Sequence, residues 1–179
     1  MSKTEENLKA ALAGESQARA KYTKWAGVAT KEGHQAIAKT FLETAENEYE
    51  HAAIIMNLHK IAKTTEENLA EAASGEVHEW QKMYPQFLKE AKEEGNAAAA
   101  KFFENILRIE QHHGKRYQLM LDRLKAGTLY KSDNEEIWFC TNCGYLHRGK
   151  EAPQACPNCL HPKGYFKRVG ETEWGSVEV

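Results

Sequence analysis

The sequence predicts a mainly α protein: a four-helix bundle followed by a small β module built around cysteines. Three observations carry this expectation. Residues 1–126 hold a single proline, Pro85, and long stretches of Ala, Glu, Lys and Leu, all good helix formers. The same stretch repeats itself at an offset of 61, then 62, residues. All four cysteines fall between residues 140 and 159, which points to one local metal site over a scattered disulfide framework.

The helices follow from periodicity and caps. The first is expected from about Thr4 to Thr30, with Leu8, Leu12, Glu15, Arg19, Tyr22, Ala26 and Ala29 along one stripe. The second runs from about Gln35 to Ala62 and carries Ile37, Phe41, Thr44, Glu48, His51, Ile55 and Leu58. The third opens at a capping box, Thr64-x-x-Glu67, in which hydroxyl and carboxylate satisfy each other's backbone N–H groups. Its stripe is Leu69, Ala72, Glu76, Glu79 with Trp80, Met83 and Phe87. The fourth, from about Asn96 to Ala126, shows Phe103, Ile106, Glu110, His113, Tyr117, Met120 and Leu124. Gly33 and Gly95 mark the hairpin turns.

The repeat identifies a duplicated helical hairpin. Thr4-Glu5-Glu6-Asn7-Leu8, Ala11 and Gly14-Glu15 match Thr65-Glu66-Glu67-Asn68-Leu69, Ala72 and Gly75-Glu76, eight identities in twelve positions. One extra residue then shifts the offset, and Phe41, Glu48 and His51 meet Phe103, Glu110 and His113. A period this long exceeds the usual solenoid unit, so one hairpin has been doubled. Glu15 and Glu48 both lie about 16 residues from their turn, hence about 24 Å along their helices and level with each other. The same holds for Glu76 and Glu110, and each His sits three residues beyond its Glu on the same face.

Most glutamates on such helices are solvated, and Glu43, Glu46 and Glu50 are read that way. Carboxylates on apolar stripes differ, because burying one costs several kcal/mol unless it is paired or ligating. Arg19 is the one cation on these stripes and can neutralise only one acid, so an ion-pair network is the weaker reading. A dinuclear metal site is the stronger one. The halves differ at one place: Ala18 corresponds to Glu79. Seven ligand candidates result: Glu15, Glu48, His51, Glu76, Glu79, Glu110 and His113. Tyr22 and Tyr84 are candidate hydrogen-bond donors to them, with packed core tyrosine as the plainer alternative. His34, His59, His78, His112 and His147 are read as structural or surface residues.

Cys140-x-x-Cys143 and Cys156-x-x-Cys159 form a four-thiolate signature suited to zinc or iron, between which spacing cannot choose. Trp138, Phe139, Tyr145 and Phe166 are the expected core of this module. Expected boundaries are 1–130 for the bundle and 135–179 for the module. A formal net charge of −2 gives no reason to expect nucleic acid or an anionic membrane as partner. No apolar run approaches the roughly 20 residues of a membrane span, and the polar N-terminus lacks a signal-peptide core. A cytoplasmic protein is expected.

At this point the sequence resembles the rubrerythrins, a ferritin-like di-iron bundle followed by a rubredoxin-like domain. The motifs are Gly14-Glu15-Ser16-Gln17-Ala18-Arg19, Glu48-x-x-His51, Gly75-Glu76-x-x-Glu79, Met83-Tyr84-Pro85 and Glu110-x-x-His113. The C-terminal ones are Phe139-Cys140-x-x-Cys143-Gly144-Tyr145 and Cys156-Pro157-x-Cys159-x-His161-Pro162. The resemblance implies two non-haem irons in the bundle and one in the tetrathiolate site. It implies that Glu48 and Glu110 bridge, that Glu15 and Glu76 are terminal ligands, and that His113 binds one iron. The other iron is expected to exchange Glu79 for His51 on reduction, and His161 to bond near a cysteine sulfur.

The implied activity is a peroxidase reducing hydrogen peroxide to water. Its electrons would come from an external donor, such as an NAD(P)H-dependent rubredoxin reductase or a rubredoxin. Two alternatives stand beside it: a ferroxidase handling iron with oxygen, and a non-catalytic scaffold with zinc in the cysteine site. Two departures from the family are visible. Leu160 follows the second cysteine pair where free-standing rubredoxins usually carry glycine, and the stretch from His51 to Glu76 is short. A link near Ala62 to Thr65 cannot retrace a bundle, so either the third helix packs antiparallel beside the second or hairpins exchange between two chains; of the two, a homodimer with exchanged hairpins is the expectation.

Overall fold

The computed structural model describes residues 2–169; residue 1 and residues 170–179, the end of the expected C-terminal module, lie outside the described residues. Helix α1 (Lys3–Lys31) starts at a capping box in which the Ser2 hydroxyl accepts from Glu5 N–H and the Glu5 carboxylate accepts from Ser2 N–H. Helix α2 (Gln35–Leu58) follows a turn at Gly33, whose φ of +85° is the left-handed conformation that glycine adopts without strain. The two run antiparallel, and the His59 ring nitrogen lies 3.3 Å from the Glu5 carbonyl at the far end of the hairpin. Helix α2 stops four residues before the expected Ala62, because Lys60 takes a φ of +54°.

The second hairpin repeats the first with one change. Helix α3 (Thr65–His78) begins at the expected Thr64–Glu67 capping box. A single π turn, Glu79–Met83, joins it to α4 (Tyr84–Glu93), which continues the same rod. Helix α5 (Ala97–Lys125) returns after Gly95, with the Asn96 side chain accepting from Ala99 N–H at its start.

The π turn explains the shift in the repeat. Tyr84 N–H reaches back five residues to the Glu79 carbonyl, so the turn holds one residue more than an α turn. Tyr22 lies seven residues past Glu15 and Tyr84 eight past Glu76. In an unbroken α-helix that extra residue rotates everything beyond it by about 100°. The wide turn absorbs the rotation: Tyr22 meets Phe41 at 6.1 Å and 31°, and Tyr84 meets Phe103 at 6.1 Å and 34°. Both hairpins therefore keep the same aromatic packing.

The chain divides into two compact units, Met1–Lys63 and Thr64–Val179. Helical burial falls chiefly on small residues: Ala26, Ala29, Ala38, Ala45 and Ala52 in the first unit, and Ala73, Ala91, Ala100 and Gly114 in the second. Such residues let helices approach closely. Large apolar side chains stay open instead, among them Trp25, Ile37, Leu42 and Ile54 in the first hairpin and Phe102 and Ile109 in the second.

The C-terminal module is a three-stranded antiparallel sheet in the order β2–β1–β3, from β1 (Lys131–Cys140), β2 (Leu146–Glu151) and β3 (Phe166–Val169). Trp138, Cys140, Ala152, Cys156 and Phe166 are its buried core, with Tyr145 packed against them. The Trp138 indole N–H donates to the Gly149 carbonyl at 2.9 Å, which satisfies its one polar group. Phe139 is the exception to the expected core. Neighbouring strand residues face opposite ways, and its ring lies under the Lys167 ammonium at 5.7 Å.

Candidate metal centres

Three donor clusters form, each with its ligand atoms within 4.8 Å of one another: Glu15–Glu48–His51, Glu76–Glu110–His113 and the four cysteines. The first two arise from the same geometry. An i,i+3 pair on one helix faces a carboxylate at the same level on the antiparallel neighbour. His51 Nδ1 lies 2.9 Å from Glu48 Oε2 and 3.8 Å from Glu15 Oε2. His113 Nδ1 lies 2.6 Å from Glu110 Oε2 and 3.5 Å from Glu76 Oε2.

The clusters differ in exposure. The His51 side chain is 55% exposed and His113 31%, so the first imidazole is the freer to move. Glu110 is the one buried charged residue among the described residues. Glu76 Oε2 is shut away from solvent and makes no hydrogen bond. Burial first, then a hydrogen bond shared with Glu110 and the Glu110 charge, push the Glu76 carboxyl above its usual range, against the pull of His113. A buried acceptor without a donor is a cost. A cation set among the two carboxylates and the imidazole removes it, so the donor set fits a metal ion.

Arg19 does not neutralise the ligand carboxylates. Its guanidinium pairs with the exposed Glu46 at 3.6 Å and lies over the Tyr49 ring at 4.2 Å. Glu79 stands half-buried at the head of the π turn, outside the three-residue cluster. Its charge acts on Glu76 and on Tyr84. Burial, then Glu79, Glu110 and Glu76, raise the Tyr84 phenol above its usual range. Tyr22 packs on Trp25 and Phe41. Among the described residues neither tyrosine hydroxyl hydrogen-bonds to a ligand carboxylate, so packing is what the structure records for both.

The four cysteines sit on two matching knuckles. Gly144 N–H donates to the Cys140 carbonyl at 2.8 Å, and Leu160 N–H to the Cys156 carbonyl at 2.9 Å. Both residues are left-handed, Gly144 at φ +79° and Leu160 at φ +61°. Sulfurs approach at 3.7 Å for Cys140–Cys159 and 3.6 Å for Cys143–Cys156, and none is in a disulfide. Cys140 and Cys156 are buried; Cys143 and Cys159 are half-exposed. Burial pushes the Cys156 thiol up to about 11, while the His161 backbone N–H holds Cys159 down to about 6.

The main chain of His161, not its ring, is thus what acts on the Cys159 thiol. Its ring Nδ1–H donates to the Cys159 carbonyl at 3.2 Å and the ring packs edge-on against Tyr165 at 4.4 Å. Four thiols converging at this spacing, with backbone N–H groups aimed at a sulfur, fit a tetrathiolate metal.

Comparison with known proteins agrees with these donor sets. The rubrerythrin family model matches residues 6–121, and the rubrerythrin rubredoxin-like domain matches residues 138–167. A rubrerythrin from Porphyromonas gingivalis is 42% identical, covering 93% of this chain and 90% of its own. A rubrerythrin from Nitratidesulfovibrio vulgaris is 38% identical over 94% of this chain and 95% of its own. A solved structure of partially reduced nigerythrin is 35% identical, covers 94% of this chain and 88% of that one, and has a TM-score of 0.37. The carboxylate–imidazole clusters are of the kind a di-iron site uses and the four cysteines of the kind an iron–tetrathiolate site uses, and the chain belongs to the rubrerythrin family.

Proposed function

We propose that the protein is a non-haem di-iron peroxidase that reduces hydrogen peroxide to water, with electrons relayed through its own tetrathiolate module. The observation that carries this is the pairing, in one chain, of two carboxylate–imidazole clusters with a four-cysteine cluster. Storage or simple oxidation of iron has no need of a built-in electron donor. Bound iron supplies the redox chemistry: two electrons at the helical site for each peroxide, restored singly from the tetrathiolate site.

The residues then divide the work. Glu48 and Glu110 are the proposed bridges, Glu15 and Glu76 the terminal ligands, and His113 the fixed imidazole. His51 and Glu79 are the exchanging pair. The exposure of His51 and the position of Glu79 at the head of a wide helical turn both support that assignment. Cys140, Cys143, Cys156 and Cys159 hold the third iron. The proposed domains are 1–130 and 135–179. No described helix is long and apolar enough to cross a membrane, and a cytoplasmic address completes the reading.

Stopped-flow oxidation of the reduced, iron-loaded protein tests it. Hydrogen peroxide is expected to oxidise the helical site faster than oxygen does. Faster oxidation by oxygen favours the ferroxidase, and a C-terminal site without iron–thiolate absorption removes the relay.

The assembly we propose is a homodimer with exchanged hairpins. Each hairpin offers three donors and leaves large apolar side chains open, and only residues 59–64 join α2 to α3. Refolding Glu15→Ala together with Glu76→Ala tests the exchange. Exchanged hairpins produce one intact site in each mixed dimer and restore activity; sites built within one chain restore none.

A further inference from the structure

We infer that Arg168 is a positioning residue for the electron relay. It locks the cysteine module to the end of α5, so that the module works from one fixed pose instead of swinging on a tether. The lock needs no iron; only its use in a relay rests on the preceding reading.

Five residues, 126–130, join α5 to β1. The stretch from Gly127 to Asn134, with Thr128, Ser132 and Asp133 between, has the composition of a flexible tether. Each step of the connection is instead held. Gly127 is left-handed at φ +63°, its N–H donates to the Leu124 carbonyl at 3.1 Å, and the Thr128 N–H donates to the Arg123 carbonyl at 2.9 Å. This pair of bonds is a Schellman closure, which fixes the direction in which the chain leaves the helix. Lys131 N–H then donates to the Thr128 carbonyl at 3.2 Å. Tyr130 packs on the core of the module, and its carbonyl accepts from Ala152 N–H at 2.9 Å.

Arg168 closes the path from the opposite edge of the sheet. It lies on β3, paired with Trp138 of β1, and its guanidinium covers the Trp138 ring at 5.1 Å. Its Nη2 donates to the Thr128 carbonyl at 3.0 Å and to the Lys131 carbonyl. Trp138 stands seven residues beyond Lys131, and a straight strand would put about 23 Å between them, farther than one side chain reaches. The irregular register between Lys131 and Glu136 bends the start of β1 back, and both carbonyls come within reach of the guanidinium.

One planar cation thus touches the buried core of the module and the cap that ends α5. Hydrogen bonds from a charged donor are roughly twice as strong as neutral ones, and the carboxyl end of a helix favours a cation. A plainer role for Arg168 is that of a lid on Trp138. The Thr128 bond decides against that role alone, because Thr128 closes the end of α5 and lies outside β1. Electron tunnelling falls exponentially with distance, so a relay works best from a pose that does not drift.

The test uses the full-length protein. With zinc in the metal sites, NMR amide relaxation is expected to give the module and α5 one common rotational correlation time. Arg168→Met keeps an apolar chain beside Trp138 and loses the fork; it is expected to shorten the correlation time of the module about twofold relative to α5. Arg168→Lys, a single ammonium in place of the fork, is expected to fall between. With iron loaded, the iron–thiolate absorption of each variant is expected to match the wild type, which shows a folded module. Peroxide added to the fully reduced protein then reads reoxidation of the module. One exponential is expected in the wild type, and a several-fold slower, multi-exponential course in Arg168→Met.

A wild-type module that tumbles apart from α5 overturns the proposal, as does a common correlation time in both variants. So does a freed module whose reoxidation is unchanged. Loss of iron–thiolate absorption in both variants assigns Arg168 to the folding of the module and overturns it too. The relaxation measurement involves neither peroxide nor iron, so a locked module that passes no electrons sinks the relay and leaves the lock standing.

Discussion

Replacing Glu76 by Gln is expected to change stability in opposite directions with and without metal. The Glu76 side chain is 21% exposed and its Oε2 has no hydrogen-bond donor. Burial and Glu110 oppose its ionisation. An unsatisfied buried acceptor costs about 1–3 kcal/mol, and partial exposure places this one toward the lower end. The side-chain amide that Glu76→Gln introduces removes the charge and can donate to Glu110, a gain of about 1–2 kcal/mol. At about 2–4 °C per kcal/mol for a chain of this size, Tm rises by roughly 2–8 °C.

The gain depends on pH with a definite sign. Because the folded-state pKa of Glu76 is raised, the unfolded chain releases the proton first as pH climbs past the ordinary value of 4.5. Wild-type stability falls from there upward, until folded Glu76 also ionises. Below 4.5 both states keep Glu76 protonated, and the wild type carries no such penalty. With metal bound the sign reverses. Losing a ligand costs at least the roughly hundredfold in affinity that even an outer partner can, which removes about 2.7 kcal/mol of linked stability. Circular-dichroism melts of chelated and metal-loaded protein read both arms. A Tm shift of the same sign in the two states refutes the reasoning.

Gly114 of α5 faces α3, and a Cβ there meets Glu76 Cβ at 3.4 Å and Val77 Cγ2 at 3.7 Å, both ordinary contacts. Ala52 holds the equivalent place in the first hairpin, so Gly114→Ala is expected to stabilise by about 0.5–1 kcal/mol in denaturant melts. Gly114→Leu is expected to force the helices apart and cost roughly 1–3 kcal/mol. Cys156→Ser is expected to abolish iron–thiolate absorption and electron relay while far-UV circular dichroism of the helices stays unchanged; peroxide turnover from an external reductase that survived it would sink the relay. Leu160→Gly relieves a left-handed leucine, and the module is expected to resist denaturant by about 1 kcal/mol more. A less stable module means that the leucine packs against something.

Much of the fold was legible because each cue was local. The Thr64–Glu67 cap, the glycine turns at 33 and 95 and the levels of Glu15, Glu48, Glu76 and Glu110 all follow from spacing along one or two helices. The π turn was legible only as a change in the repeat offset. One added residue says that a turn is widened, and Pro85, which has no N–H to give, lies just past it, but neither says how the hydrogen bonds are reassigned. The early end of α2 was hidden, since His59, Lys60 and Ile61 include no helix breaker and the left-handed Lys60 is a matter of the short link. For His161 the sequence pointed to the sulfur. Which part of the residue bonds there, main chain or ring, depends on a knuckle conformation that residue type does not encode.

The wide turn at Glu79–Met83 also bears on how a duplicated protein acquires differences between its halves. An extra residue in a connecting loop leaves the helices alike. An extra residue in an ordinary helix turns everything beyond it away from its partners. Lodged in a π turn, it did neither: the tyrosine–phenylalanine contact beyond it matches its twin. The insertion sits beside the one position where the second copy has an acid and the first an alanine. A helix can thus be edited in its middle without disturbing what it carries, and two copies of one hairpin can come to carry different donor residues.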